Sequence, residues 1–192
     1  MVYQKTIEET LYSDGIDLDS LTELPWSVAE FLSKHIGSRN LGLNGLKEFS
    51  GAVELLNKME GRLNLAGLTT LSNEEAELLG MFKCSLRLAG LTELSDNAAK
   101  SLSKHVGELQ LNGLTNLSDT AAEFLSEHAG ELDLLGLREI SDAVAESLSK
   151  SKSPLNLNNL TEISDAVAES LSKHKGGGEG GFRDSRTLRQ ST

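Results

Sequence analysis

The chain has 192 residues, 38% hydrophobic and 24% charged, a globular balance with a formal net charge of −11. So acidic a chain lacks the Lys and Arg surplus that displaces counterions from nucleic-acid phosphates, and it is equally ill suited to an anionic membrane surface. Aromatic residues make up only 4% and leucine carries the apolar bulk, so a core must be assembled from many thin, similar layers. Cys84 is the only cysteine, which excludes an intrachain disulfide and fits a reducing, cytoplasmic setting. No stretch approaches the roughly 18 apolar residues of a membrane span, and the opening MVYQKTIEETLYSDG lacks the basic and apolar regions of an export signal.

Residues 1–15 read as an N-terminal capping segment with a short helix from Tyr3 to about Leu11. From Ile16 the sequence is periodic. Seven units over residues 16–177 start at Ile16, Leu41, Leu63, Leu86, Leu109, Leu132 and Leu155. The last five starts are each 23 residues after the one before, the unit from Leu41 is one residue shorter, and the unit from Ile16 is two longer. In the first unit Pro25 suits a first helical turn, and Trp26 beside it is expected to pack on the first layer.

Each unit changes hydrophobic period partway along. Leu109 and Leu111 alternate with polar Gln110 and Asn112, which predicts a strand with one inward side, and Gly113 permits the turn that follows. Leu114 and Leu117 point inward, Ser118 and Asp119 stand where a helix N-cap belongs, and Ala121, Ala122, Phe124 and Leu125 give one buried helical face. His128 and Gly130 mark the end of the helix. A strand of about three residues and a helix of about ten cannot bury their leucines alone, but units stacked about 4.8 Å apart share one core. The expected fold is therefore an α/β solenoid, a right-handed β-α superhelix. Its short strands form a parallel sheet on the concave face, and its short helices form the convex face.

The pattern L-x-L, turn, L-S-D and Ala-rich helix resembles the leucine-rich repeat family, over the whole of residues 16–177. It is most similar to short bacterial 23-residue repeats of the cysteine-containing type, and not to the longer ribonuclease-inhibitor type. The resemblance implies a fold and is silent on ligand. One departure matters: where the family places Asn or Cys after the strand, this chain has Leu68, Leu91, Leu114, Leu137 and Leu160. Backbone groups of that turn must then be satisfied by each other or by water.

Ser, Asp and His recur in nearly every unit, but Ser118 and Asp119 start a helix that His128 ends, roughly 13 to 15 Å away, which excludes a hydrolytic triad. Helix capping accounts for all three, so no catalytic residue is expected. His35, His105, His128 and His174 are assigned one repeat position, shared with Met59, Phe82 and Ser151. That is the pattern of a tolerant site near the negative end of a helix dipole rather than a metal site, so neither metal nor cofactor is expected. The glycines of LNGL and LAGL lack the paired glycines and Lys-Ser/Thr of nucleotide loops.

What remains is a polar strand face, with Arg87, Gln110, Asn112, Asp133, Leu135, Asn156 and Asn158 among its outward residues. The expected function is a non-enzymatic protein–protein interaction scaffold, bacterial and cytoplasmic, holding a polar partner weakly around Arg87, Gln110, Asp133 and Leu135. The alternative is a structural subunit, a homo-oligomer or part of a larger assembly joined through the last unit and the tail. The segment EISDAVAESLSK recurs verbatim at 139–150 and 162–173, as when a unit is copied for length. The last unit keeps Leu155, Leu157, Ile163, Val167 and Leu171 without a polar cap, which leaves an apolar layer and an unpaired strand edge that something is expected to cover. Residues 178–192 form a Gly-rich basic tail whose Phe182, Arg183, Arg186 and Leu188 are assigned to docking on a partner or neighbouring copy.

Overall fold

The computed structural model describes residues 15–48 and 51–176. Seven strands form one all-parallel sheet in chain order: β1 Gly15–Asp17, β2 Asn40–Gly42, β3 Arg62–Asn64, β4 Ser85–Arg87, β5 Leu109–Gln110, β6 Leu132–Asp133 and β7 Leu155–Asn156. The register aligns the leucines side by side: Ile16 with Leu41, Leu41 with Leu63, Leu63 with Leu86, Leu86 with Leu109, Leu109 with Leu132, and Leu132 with Leu155. Each strand is followed by a helical segment, and the fold is a leucine-rich-repeat solenoid. The helix expected at Tyr3–Leu11 and the tail 178–192 lie outside the described residues, and Gly15 belongs to β1.

Among the described residues six α-helices return the chain: α1 Trp26–His35, α2 Asn73–Gly80, α3 Asp96–Leu102, α4 Asp119–Ser126, α5 Asp142–Ser149 and α6 Asp165–Ser172. Coil two, the shorter one, uses a 3-10 helix at Gly51–Leu56 instead. Six residues at about 2.0 Å rise span the same 12 Å or so as eight at 1.5 Å, so the tighter helix makes up for the missing residues. In each coil the strand leucines meet the small face of the helix. In coil four Leu86, Leu88 and Leu91 are fully buried with Ala98, Ala99 and Leu102. Alanine on the helix lets it lie close to the sheet, and a larger residue there would overpack the layer.

The leucine turn closes on its own backbone. Leu68 N–H donates to Leu65 carbonyl oxygen at 3.1 Å, Leu114 to Leu111 at 3.1 Å and Leu137 to Leu134 at 3.1 Å, and the other coils do the same. The turn glycines serve a different purpose from the one expected. Among the described residues the only positive φ belongs to Gly37, at 53°, so the turns need no left-handed residue. A Cβ on Gly67 would instead lie 1.8 Å from the carbonyl oxygen of Asn44, so glycine is required because successive coils touch through their backbones.

One further expectation is corrected. Trp26 opens α1 but is 59% exposed and does not pack on the first layer; Leu24 and Val28 on either side of it fill that place. At the other end Leu155, Leu157, Val167 and Leu171 are buried within the same continuous core, and only Leu160 and Ile163 are partly exposed. The apolar layer is therefore not left open.

Candidate functional site

The pleat places three rows of side chains on the outer face of the sheet. The row one residue after each strand leucine carries Arg87, Gln110, Asp133 and Asn156, which are directly paired across β4 to β7. These four expected site residues are thus brought together in sequence-register order. Arg87 is exposed, while Gln110 and Asn156 are half-buried. Asp133 is the one buried member, 9% exposed, and accepts from Asn112 Nδ2 at 3.1 Å.

The next row, two residues on, carries Asp19, Asn44, Ala66, Ala89, Asn112, Leu135 and Asn158. Several of these side chains act on the coil that follows. Asn44 N–H donates to Asp19 Oδ1 at 2.8 Å, Ala66 N–H to Asn44 Oδ1 at 3.1 Å, and Leu135 N–H to Asn112 Oδ1 at 3.1 Å. The stabilising asparagine ladder is therefore present but displaced from the turn to the strand face. Asn112 takes part in that ladder, and Asn156 Oδ1 accepts from Asn158 N–H at 3.3 Å. Leu135 is a half-buried leucine on an otherwise polar face.

A third row, one residue before the strand leucines, was missed by the sequence reading. It holds Arg62, Ser85 and Glu108, and Arg62 Nη2 reaches over coil four to Glu108 Oε2 at 3.1 Å. Gln110 Nε2 also donates to Glu108 Oε1. Partial burial pushes the Glu108 carboxyl up, but hydrogen bonds from Gln110 and Arg62, the Arg62 charge and Ser85 together hold it below its ordinary value. Strand alternation alone could have placed this row outward.

On the opposite edge of each coil the L-S-D step proves structural. Ser118 Oγ accepts the N–H of Ala121 at 3.0 Å, capping α4, and donates to Asp96 Oδ1 of the preceding coil at 2.5 Å. Ser141 and Ser164 repeat the arrangement with Asp119 at 2.9 Å and Asp142 at 2.7 Å. Asp96, Asp119 and Asp142, at the starts of α3 to α5, thus each receive the cap serine of the next coil, a ladder in addition to the favourable dipole interaction.

The histidines are also corrected. His35 is exposed, with Nδ1 2.8 Å from the Phe31 carbonyl oxygen, and Ile36 fills the repeat position instead. That position is a buried slot holding Ile36, Met59, Phe82, His105, His128, Ser151 and His174. His105 Nε2–H donates to the Cys84 carbonyl at 2.8 Å and His128 Nε2–H to the Gly107 carbonyl at 2.9 Å, and the two rings stack 5.7 Å apart. Burial pushes the His105 pKa down to about 4, against the Cys84 hydrogen bond that favours protonation and with the His128 charge adding to the fall. The His128 pKa is lowered in the same way, by burial first. Neutral, buried imidazoles tying coil to coil replace the expected cation at a helix end. Among the described residues no group of three or more His, Cys, Asp or Glu is arranged to hold a metal ion, and no helix is long and apolar enough to cross a membrane.

No family model matches the sequence, and no curated protein matches it. Among solved structures the chain is similar to an internalin from Listeria monocytogenes, with 15% sequence identity and a TM-score of 0.37 over 84% of this chain. The chain spans 64% of the length of that internalin.

Proposed function

We propose that the protein is a non-enzymatic protein-interaction scaffold that binds through the outer face of its sheet, centred on Arg87. The observation that carries this reading is the state of Arg87 itself. It is exposed on the middle strand β4, with no hydrogen bond or ion pair to another described residue, while its neighbours in the flanking rows are tied into ladders. Beside it Ala66 and Ala89 replace the ladder residues with methyl groups and leave a shallow floor. An available guanidinium over a low floor is the kind of anchor that dominates protein interfaces, and it suits a carboxylate or a cluster of carbonyls on the partner. The Ser and His residues that suggested hydrolysis are engaged in coil-to-coil bonds, which supports a binding role over a catalytic one.

The proposal extends to the setting and organisation of the chain. Short bacterial-type repeats, with flanking segments 1–15 and 178–192 on a seven-coil array, fit a cytoplasmic protein, and the buried free thiol of Cys84 agrees with a reducing compartment. A photo-crosslinker placed at position 89, beside an intact Arg87, and in parallel at the helix-side position 123, tests the face in native lysate. The expected result is a discrete cross-linked protein from position 89 only, whose recovery drops at least tenfold when Arg87→Glu is added. Equal cross-linking from the helix side, or recovery unaffected by the charge reversal, refutes the proposal.

A further inference from the structure

Two rows of exposed residues run along opposite edges of the solenoid. One row directly precedes the buried slot, at the edge where each coil turns from its helix back to the sheet. In coils two, four, six and seven it holds Lys58, Lys104, Lys150 and Lys173. The other row stands two residues after each turn leucine, at the edge where the sheet side passes into the helix. In the same four coils it holds Glu48, Glu93, Glu139 and Glu162. Coil one has His35 on the first edge and Glu23 on the second. Coils three and five break the pattern on both edges at once: Met81 goes with Thr70, and Glu127 goes with Asn116. Wherever the first edge has lysine the second has glutamate, and where the first has Met or Glu the second is neutral.

No contact within one chain accounts for that correspondence. In coil four the two residues flank the seven residues of α3, about 10 Å of helix axis. Lys58 and Lys104 make no ion pair with another described residue, and Lys150 and Lys173 pair with Glu146 and Glu169 of their own helices. A helix dipole favours acid at its start and base at its end, but it does not require the two to vanish together.

Two copies bring the rows together. A second copy displaced along the strand direction sets its lysine edge on the glutamate edge of the first, and because the copies share one shape, each coil meets its equivalent. Lys104 then faces Glu93, Lys150 faces Glu139 and Lys173 faces Glu162. Met81, 59% exposed, falls on Thr70 beside half-buried Leu71, and Glu127 meets an uncharged asparagine. Such complementarity fixes register more than it adds affinity, and exposed pairs contribute little each, so the contact is weak.

We infer that these two edges are the two halves of one interface between copies of this chain, stacked edge on edge with lysines against glutamates. The contact is heterologous, so every stack keeps an open edge at each end and grows with concentration. It uses neither Arg87 nor the outer face of the sheet.

Sedimentation equilibrium of the full-length chain up to about 1 mM, a range that reaches weak association, tests the inference. The average mass should rise from 20.6 kDa and pass about twice that value without levelling off. Lys104→Glu, Lys150→Glu and Lys173→Glu combined should give a monomer, and so should Glu93→Lys, Glu139→Lys and Glu162→Lys combined. An equimolar mixture of the two variants should associate again, although both remain net negative and have no overall attraction. All six side chains are exposed, and circular dichroism of each variant checks that its helices are intact. A wild type that stays at 20.6 kDa throughout leaves the lysine edge to a partner other than this chain and overturns the inference. So does a mixture in which both folded variants remain monomeric, or assembly that either variant retains alone. None of these outcomes bears on cross-linking from position 89.

Discussion

Acidification should loosen the array through the stacked imidazoles before it protonates most carboxylates. His105 is 0% exposed, and its neutral ring is held by the Cys84 carbonyl on one side and by His128 on the other. In the unfolded chain an imidazole titrates near 6.5, whereas burial lowers the folded His105 pKa to about 4. The unfolded state therefore takes up the proton first. The stability that follows from this difference is fully present above pH 6.5 and is lost as pH falls toward 4, below which both states are protonated. The gap between 6.5 and about 4 corresponds to about 3 kcal/mol, or roughly 10 °C in the unfolding midpoint of a chain this size. Urea or thermal unfolding followed by circular dichroism between pH 7.5 and 4 measures it, with His105→Phe as the comparison. Phe82 occupies the same slot one coil earlier, so the phenyl ring fits, and loss of the carbonyl bond shifts the variant by a pH-independent amount. Carboxylates that titrate in this range are common to both proteins and cancel. Wild type should lose about 3 kcal/mol more than the variant across the window, and parallel curves for the two proteins would refute the reasoning.

Other consequences of the packing are equally open to measurement. Gly130→Ala would bring a Cβ to 1.8 Å from the Gly107 carbonyl oxygen, so urea unfolding should show a loss of about 1–3 kcal/mol or more, while Gly51→Ala, with nothing within 4 Å, should not be destabilising. Ser118→Ala removes both the α4 cap and the bond to Asp96, and should cost about 1–2 kcal/mol, against little change for Ser33→Ala, whose hydroxyl bonds only the Glu30 carbonyl within its own helix. Burial pushes the Cys84 thiol up to about 11, so a thiol reagent at pH 8 should leave it unmodified in the folded protein and modify it fully in denaturant; rapid native labelling would contradict the burial.

The strand register and the serine caps were legible in the sequence because each depends on neighbours a few residues away and recurs at a fixed interval. Leu86, Leu109 and Leu132 announce their alignment by spacing, and Ser118 announces its cap by preceding an amphipathic helix. What was not legible depends on how one coil meets the next. His35 was grouped with the buried histidines by residue type, but the first coil is two residues longer and Ile36 takes the slot. Met59 and Phe82 at the equivalent place were the available signal, because bulky apolar residues mark a buried position rather than a tolerant one. The Arg62–Glu108 pair joins residues two coils apart and is invisible to any search within a repeat. Gly67 was read through its backbone freedom, when the constraint is the Asn44 carbonyl, 23 residues earlier in the coil below.

The ladder on the strand face also limits where recognition can be written. Asp19, Asn44 and Asn112 each accept an amide of the following coil, and removing such a side chain leaves that amide without its partner at a cost of about 1–3 kcal/mol. A residue so engaged cannot turn toward a ligand without breaking the stack it supports. Ala66, Ala89 and Leu135 occupy the same row without that duty, and they fall beside Arg87 at the centre and Asp133 toward the C-terminal end. Departures from the repeat, rather than the repeat itself, are therefore where the face can vary in shape and charge while the solenoid holds its form, and the proposed contact centred on Arg87 lies at such a departure.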